Sequence, residues 1–398
     1  MNEQIKQRTA QLNNGEVPNG YEKTEIGTFP VGWKTTTLDE LLEFKNGVNA
    51  DKEKYNSGVK MISVMDILTD SPIYYDKIKG QVDIDKKTLG TYSVTYGDIL
   101  FQRSSETFED AGKSNVYLDQ DRTATYSGFV IRGKKKADYN PYFLNEALRI
   151  GQVRNQIIRN AAGSQHINVG QDSLAKIIVP LASDAEQSKI AEILMKWDEA
   201  IELEEQYIII LEVRKNSIMK RLLTPQEDWR YVLLGDICQI KTGRLDANAM
   251  DEDGIYPFFT CSKGIYRINQ YSFDCEALLI AGNGDIGDVK YYNGKFDAYQ
   301  RTYVMSEFTF NIKYVMQYLR LNFDKDVMKG MQKSSMPYIK LDLLKKAKIY
   351  YKVSAIESTV AILSIVDNEI ELHQLKLSEL KKQRKALQQY LLNGIVRV

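Results

Sequence analysis

Apolar residues recur every 3.5 positions over residues 190–222. Ile190, Leu194, Trp197, Ile201, Glu204, Ile208, Leu211, Lys215, Ile218 and Leu222 alternate spacings of four and three, and eight of the ten are apolar. That period predicts a long helix presenting a coiled-coil seam. Adding 169 to each number gives a second run: Thr359, Leu363, Val366, Ile370, His373, Leu377, Leu380, Arg384, Leu387 and Leu391. The obvious partner for each helix is the other one. The polar exceptions fall at matching seam sites, Glu204 with His373 and Lys215 with Arg384. Buried polar residues can fix register. An antiparallel register centred midway between 204 and 215 would set Glu204 against Arg384 and Lys215 near His373. The alternative is that these residues mark where the helices splay and admit solvent.

Outside the helices the pattern changes. Short runs of β-branched and aromatic residues alternate with turn residues, which predicts strands at Val59–Val64, Gly97–Phe101, Ser127–Ile131, Ala277–Ala281 and Tyr299–Met305. Helical stretches follow at Pro141–Ile158, where Pro141 suits a first turn, and at Ile312–Met328.

These segments also repeat. Trp33-Lys34, Leu38, Leu41, Lys45 and Gly47 return as Trp229-Arg230, Leu234, Ile237, Lys241 and Gly243, at an offset of 196. Ile167, Val169 and Ala175-Lys176-Ile177 return as Ile339, Leu341 and Ala347-Lys348-Ile349, at an offset of 172. Two copies are too few for a solenoid. The first carries 24 extra residues inside a frame that both retain. A constant frame around divergent interiors suggests two similar readers of two different things. We read residues 1–20 as an N-terminal tail and 21–182 as the first domain. Residues 183–223 form a central helix, 224–352 a second domain and 353–398 a C-terminal helix.

Composition narrows the function classes. Lys+Arg and Asp+Glu balance at 53 each, so no global field draws the chain to a polyanion. Residues 21–182 hold 21 basic against 21 acidic side chains, 224–352 hold 18 against 16, and 183–223 hold 6 against 9. Polyanion binding would therefore need local patches, and the acidic central helix suits protein contact. Cys238, Cys261 and Cys275 fit no zinc spacing, and with two histidines a metal cluster is not expected. Few cysteines, a polar N-terminus and no long apolar run imply a soluble cytoplasmic protein with no membrane partner. The 25 tyrosines suit contact with bases or proteins, and equally suit amphipathic packing.

Several motifs invite over-reading. Gly282-Asn283-Gly284-Asp285-Ile286-Gly287 matches G-x-G-x-x-G, but Val289–Gly294 reads as strand then turn, where a dinucleotide site needs a helix. Asn140-Pro141-Tyr142-Phe143 is similar to the N-P-P-Y/F loop of adenine-N6 methyltransferases but lacks the second proline and reads better as a helix start. His166 and His373 have no nucleophile partner set in sequence. No catalytic constellation emerges.

The ordered motifs carry a family resemblance. Thr24-Glu25-Ile26-Gly27 with Pro30-Val31-Gly32-Trp33, then Gly97–Phe101 with Arg103 and Gly112-Lys113, resemble the opening motifs of type I restriction–modification specificity subunits. Gly163-Ser164-Gln165 with Ile167 resembles the motif closing their target-recognition domain. Glu186-Gln187 through Asp198 to Leu222-Leu223, and Leu377 through Leu391-Leu392-Asn393-Gly394, resemble the two helical conserved regions. The second half departs at Ser334-Ser335-Met336-Pro337 and at Ile356-Glu357-Ser358, which lack the Gly-Ser-Gln and Glu-Gln forms.

The resemblance implies an α+β architecture with a pseudo-twofold internal repeat. Two mixed α/β target-recognition domains would be separated by two long antiparallel helices forming a coiled coil. It implies a subunit without catalytic residues that reads a bipartite, asymmetric site on double-stranded DNA, with the helices as spacer. Two methyltransferase subunits would bind S-adenosylmethionine and methylate adenine; restriction–translocase subunits would bring ATP and Mg chemistry. No cofactor is expected in this chain. A target-recognition subunit of a related, non-type I restriction or phage-defence adenine methyltransferase would share most of these motifs. At 1.5 Å per residue, residues 186–223 make a rod of about 57 Å, longer than the roughly 34–36 Å turn of B-DNA.

Base reading needs forked or amide side chains, with Lys, Arg, Ser and backbone N–H groups on phosphates. In the first domain the candidates are Arg103, Ser104, Ser105 and Lys113, and the loop residues Ser164, Gln165 and His166. In the second they are Asn283, Lys290, Gln300, Arg301, Ser334 and Ser335. Each of these also suits a role in closing its turn. Lys134-Lys135-Lys136 reads as a solvated loop rather than a phosphate clamp. Seam or partner contacts are expected from Leu194, Trp197, Ile201, Glu204, Ile208 and Leu211, and from Leu363, Val366, Ile370, Leu377, Leu380 and Arg384.

Overall fold

The computed structural model describes residues 3–163, 166–326 and 338–398. The chain divides into two compact units, one of Met1–Leu203 with Leu377–Val398 and one of Glu204–Lys376. Each long helix therefore contributes to both.

The first unit opens with a helix, Glu3–Asn13, and a hairpin, Tyr21–Thr24 with Gly27–Pro30. Its main sheet has four antiparallel strands in the order Leu42–Asn46, Val130–Lys135, Ile99–Gln102, Ser114–Val116. Phe101, Phe143, Leu38 and Leu42 anchor its core at 1% exposure or less. The second unit has a six-stranded sheet: Gln239–Thr242, Thr302–Ser306, Phe273–Ala281, Val289–Ala298, Tyr256–Phe259, Ile265–Ile268. Its first four strands repeat the order of the first unit. In chain order both run first, fourth, second, third. A strand outside each sheet also repeats, Lys34–Thr37 pairing Ile178–Leu181 and Arg230–Leu233 pairing Lys348–Tyr351.

Register converts the repeat into residue equivalences. Val130 pairs Gln102 as Thr302 pairs Ala281. Gly47 N–H donates to Val130 O at 3.1 Å, and Gly243 N–H to Thr302 O at 3.3 Å. Of the first copy's 24 extra residues, 17 lie between Gly47 and Ile99 and 7 between Gln102 and Val130. The first copy sets Thr125–Tyr126, Tyr55–Ile62 and Gln81–Val82 in a separate three-stranded sheet, beside a core of Ile62, Ile73 and Ile78; the equivalent pairing in the second unit, Asp297-Ala298 with Tyr256–Phe259 and Ile265–Ile268, is part of its six-stranded sheet. The repeated glycines have a steric cause. A Cβ at Gly47 would lie under 3.0 Å from the Tyr126 and Ser127 carbonyls, and one at Gly243 equally close to those of Ala298 and Tyr299.

Several local expectations change. The strand expected at Ser127–Ile131 runs over Val130–Lys135 behind a turn at Gly128-Phe129, and that expected at Tyr299–Met305 runs over Thr302–Ser306 behind a turn at Gln300-Arg301. The stretch Pro141–Ile158 is two helices, Pro141–Ala147 and Gly151–Arg159. Ile150 leaves the helical basin (φ −73°, ψ 150°) and buries its side chain completely, and Gly151 restarts the helix. The strand expected at Val59–Val64 spans Tyr55–Ile62, because Ser63 and Asp66 form a capping box that starts a short helix at Val64.

The long helices are Asp184–Leu223, of 40 residues, and Ile356–Leu392, of 37. Ile190, Leu194, Ile208 and Leu211 of the first, and Leu363, Val366, Ile370 and Leu391 of the second, are buried. In the second unit Glu204 meets His373 and Lys215 meets Asp367, so partner numbers fall as helix numbers rise and the segments are antiparallel.

The polar seam pairs differ from expectation. Glu204, 6% exposed, takes His373 Nδ1 at 2.5 Å and Lys376 Nζ at 2.7 Å. Lys215 takes Asp367 at 2.6 Å. Arg384 takes Asp198 at 2.8 Å and Glu146 at 2.6 Å. The centre of the register thus lies at Glu204 and His373, which are 169 apart and are each other's repeat equivalents, rather than between 204 and 215. Arg384 bridges to Asp198 of the other long helix and to Glu146, rather than to Glu204.

Candidate nucleic-acid interface

In each unit the two central strands end in loops that converge. In the first, Arg103 follows Ile99–Gln102; its N–H donates to Phe129 O at 3.0 Å, and its carbonyl accepts from Val169 N–H at 3.0 Å. The guanidinium donates to Gly128 O at 3.3 Å. Ser104 and Ser105 pair Asn168 and Ile167 in a short antiparallel ladder. Ser104 Oγ donates to Asn168 Oδ1 at 2.5 Å; the buried Ser105 hydroxyl turns back to Thr107 O at 2.5 Å. Lys113 is exposed, and its ammonium, 2.5 Å from Asp110, holds that carboxyl below its usual range. Gly163, at φ +144°, passes too close to His166 O to accept a Cβ, and His166 is exposed. The structure therefore gathers Arg103, Ser104, Ser105 and the loop ahead of Asn168. Ser164 and Gln165 lie outside the described residues.

The second unit builds the same convergence. Gly282 N–H donates to Arg301 O at 2.9 Å, and Gly282 O accepts from Ile339 N–H at 2.9 Å. Gly284 and Gly287, at φ +68° and +92°, turn the chain between strands Phe273–Ala281 and Val289–Ala298, so the glycine motif starts no helix. Asn283 is half-buried in that turn, and Gln300 and Arg301 expose their side chains. Lys290 is tied down instead, by Ser262 O at 2.7 Å and Asp288 at 2.6 Å. The hairpin joining Tyr256–Phe259 to Ile265–Ile268 brings Cys261 and Lys263 to the cluster, where Cys261 O and the Lys263 N–H both bond Asp285. Ser334 and Ser335 lie outside the described residues.

Two side chains at the first cluster carry no motif. Phe129 is 66% exposed between buried Gly128 and Val130. Asn49 is exposed, and its carboxamide lies where a Cβ on Gly128 would project. The sequence hint was positional: both follow a repeated or tightly packed glycine, Asn49 after Gly47 and Phe129 after Gly128.

Among the described residues no group of three or more His, Cys, Asp or Glu is placed to hold a metal ion. Cys238, Cys261 and Cys275 are free and half-buried, and burial pushes the Cys238 thiol up to about 12. No helix among the described residues is long and apolar enough to cross a membrane.

The geometry has parallels in known proteins. The chain is 46% identical over 113 residues to the EcoDI type I restriction enzyme specificity subunit of Escherichia coli, a match spanning 28% of this chain and 25% of that one. It is 25% identical over 425 aligned positions to the putative MjaX specificity subunit of Methanocaldococcus jannaschii, covering 95% of this chain and 97% of the other. In fold it is similar to the crystal structure of a type I system S subunit from M. genitalium. There the TM-score is 0.57 at 18% identity, covering 91% of this chain and 96% of that chain. A structure from work on type I complex assembly and conformational transition gives a TM-score of 0.55 at 15% identity, covering 92% and 99%. The family model for the type I restriction modification DNA specificity domain matches twice, over residues 30–213 and 226–382. Those two matches span most of the chain and take in both loop clusters, and the chain belongs to the type I restriction–modification DNA specificity family.

Proposed function

We propose that this chain is the non-catalytic subunit that selects the DNA site of a type I restriction–modification complex. Each unit acts as a target-recognition domain and reads one half of a bipartite, asymmetric sequence. The observation that carries this reading is the duplicated four-stranded order with different side chains at the converging loops. One backbone solution holds two chemistries, as two readers of different half-sites require. Domain limits of 21–182 and 224–352, with helical regions at 183–223 and 353–398, fit this division of labour. Adenine methylation, S-adenosylmethionine, ATP and Mg belong to partner subunits in this scheme.

The long helices serve as spacer and as the docking platform for two methyltransferase subunits. Large apolar side chains lie off the seam at helical spacing. Leu203, Ile210 and Val213 are 59–61% exposed on the first helix, and Ile365, Leu372 and Leu375 are 61–67% exposed on the second. Exposed apolar rows of this kind mark protein contacts.

The test is methylation of a random duplex library by the chain and its methyltransferase partner, read by sequencing. A two-part modified motif with a fixed gap is expected. Arg103→Ala should relax one half-site and Arg301→Ala the other, each lost bidentate contact being worth about 1–3 kcal/mol. Relaxation of both halves by either variant would refute the two-reader scheme.

A further inference from the structure

Register sets four positions around the open end of the central strand pair in each unit. In the first they are Asn49, Arg103, Gly128 and Phe129. In the second they are Asp246, Gly282, Gln300 and Arg301. The equivalence follows from Val130–Gln102 matching Thr302–Ala281, and from the Val48–Ser127 bridge matching Leu245–Tyr299. The backbone is shared: Arg103 N–H donates to Phe129 O at 3.0 Å as Gly282 N–H donates to Arg301 O at 2.9 Å. The side chains differ at all four positions, and the arginine has changed strands.

We propose that the side chains carried at these four positions form the base-reading set of each domain, with the glycine in each leaving room for them, and that Phe129 and Asn49 are specificity determinants of the first half-site. The inference rests on the reading of this chain as a DNA-specificity subunit. Phe129 places an aromatic ring in solvent, 66% exposed, while its neighbour Val130 is fully buried in the core. Gly128 has no Cβ, and that space is filled by the Asn49 carboxamide, which would otherwise be displaced. Arg103 gives one of its five N–H donors to Gly128 O at 3.3 Å. An arginine, an amide and an apolar ring from three segments thus gather around the Gly128-Phe129 turn.

In the major groove those groups have distinct complements. Arginine bonds guanine O6 and N7, a carboxamide bonds adenine N6 and N7, and an apolar side chain packs on the thymine methyl. Phe129 accordingly selects a thymine through its C5-methyl group, and Asn49 an adenine. The second reader, with Gln300 and Arg301 side by side in one turn, selects an adjacent adenine and guanine.

The chain with its methyltransferase partner is assayed on the random duplex library with Phe129→Ala, Phe129→Leu, Asn49→Ala and Gly128→Ala. Phe129→Ala should lose thymine preference at one position by about tenfold, with the other half-site unchanged and the melting temperature preserved; Phe129→Leu should retain most of it. Uracil in place of that thymine should reproduce the loss with the parent chain and add nothing with Phe129→Ala. Gly128→Ala should copy Asn49→Ala at a separate adenine. An unchanged base profile for Phe129→Ala, or equal weakening on all sequences without a uracil effect, would overturn the proposal. The second outcome would make Phe129 a wedge or a backbone contact. If the parent complex yields no bipartite motif, the specificity-subunit reading itself has failed.

Discussion

Arg384 fastens the second long helix to the first unit, and its loss should be costly. Its Nη2 lies 2.6 Å from Glu146 Oε2 and 3.0 Å from the Tyr142 hydroxyl, and its Nε lies 2.8 Å from Asp198 Oδ1. Glu146 is 1% exposed, and the Arg384 side chain 11%. An exposed ion pair contributes about 0–1 kcal/mol. Removing one member of a buried pair costs about 3–5 kcal/mol, because the other charge is left uncompensated. Here Glu146 would keep Gln388 Nε2 at 2.8 Å and Arg149 Nη1 at 3.2 Å. Asp198 is partly open to water and keeps the Tyr142 hydroxyl. Arg384→Met should therefore fall near the lower end, about 3 kcal/mol. The repeat equivalent is Lys215 with Asp367, 18% and 27% exposed, where Gln317 replaces the second acid. Lys215→Met should cost only about 1 kcal/mol. A chain of two units need not unfold in one step, so the assay is hydrogen exchange of the Pro141–Ala147 segment in increasing urea. Glu146→Gln added to Arg384→Met should recover part of the loss by removing the stranded charge. Equal costs for Arg384→Met and Lys215→Met, or no recovery with Glu146→Gln, would refute the reasoning.

Gly47→Ala and Gly243→Ala should each destabilise their own unit by about 1–3 kcal/mol, because the added Cβ meets backbone carbonyls that cannot rotate away; exchange rates in the adjoining strands measure it. Glu204 has its carboxyl held below the usual 4.5 by the Lys376 ammonium, then by His373, against the opposing effect of burial. A lowered folded value means its contribution is complete above pH 4.5 and is lost as pH falls below it, so Glu204→Gln should flatten acid unfolding in that range; an unaltered acid profile would contradict the contact. Ile210→Ser with Ile365→Ser should weaken capture of the methyltransferase subunit in titration calorimetry without lowering the melting temperature, since both side chains are already in solvent at 60% and 67% exposure.

The long helices were legible because a 3.5-residue period sustained over ten seam positions has one structural meaning. Their register was not. Periodicity says which face is buried but leaves the axial slide open; in the fold Glu204 meets its own equivalent His373, with Lys376 on its other carboxylate oxygen and Tyr207 against the imidazole. The duplicated sheet was legible only as a repeat in sequence. Its strand order depends on long-range pairing, such as Val130 with Gln102, that no local pattern encodes. The break at Ile150 was hidden for a related reason: the stretch is helix-forming throughout, and only the core position of that side chain overrides it. At the candidate interface, polar type and loop position pointed to Arg103, Ser104 and Arg301 together with Lys290, which the structure commits to Ser262 and Asp288. Phe129 has no such signal, because an aromatic residue in a strand-like run reads as core.

The repeat also indicates where divergence is tolerated. Gly47 and Gly243 are fixed by carbonyl oxygens that would meet a Cβ, whereas Asn49 and Asp246, two and three residues on, face solvent and differ. Gln102 N–H bonds Lys113 O inside the first unit's ladder, yet the next residue, Arg103, has become Gly282 in the second. Constraint thus ends within one or two residues of the strand ends. Side chains beyond that limit contribute little to the core, so their substitution changes what is contacted without changing what holds the loops together. Surface replacements of this kind usually alter stability by no more than about 0.5 kcal/mol. A frame built this way can change what its open end contacts by a few substitutions there, while the glycines, the strand order and the two helices stay as they are.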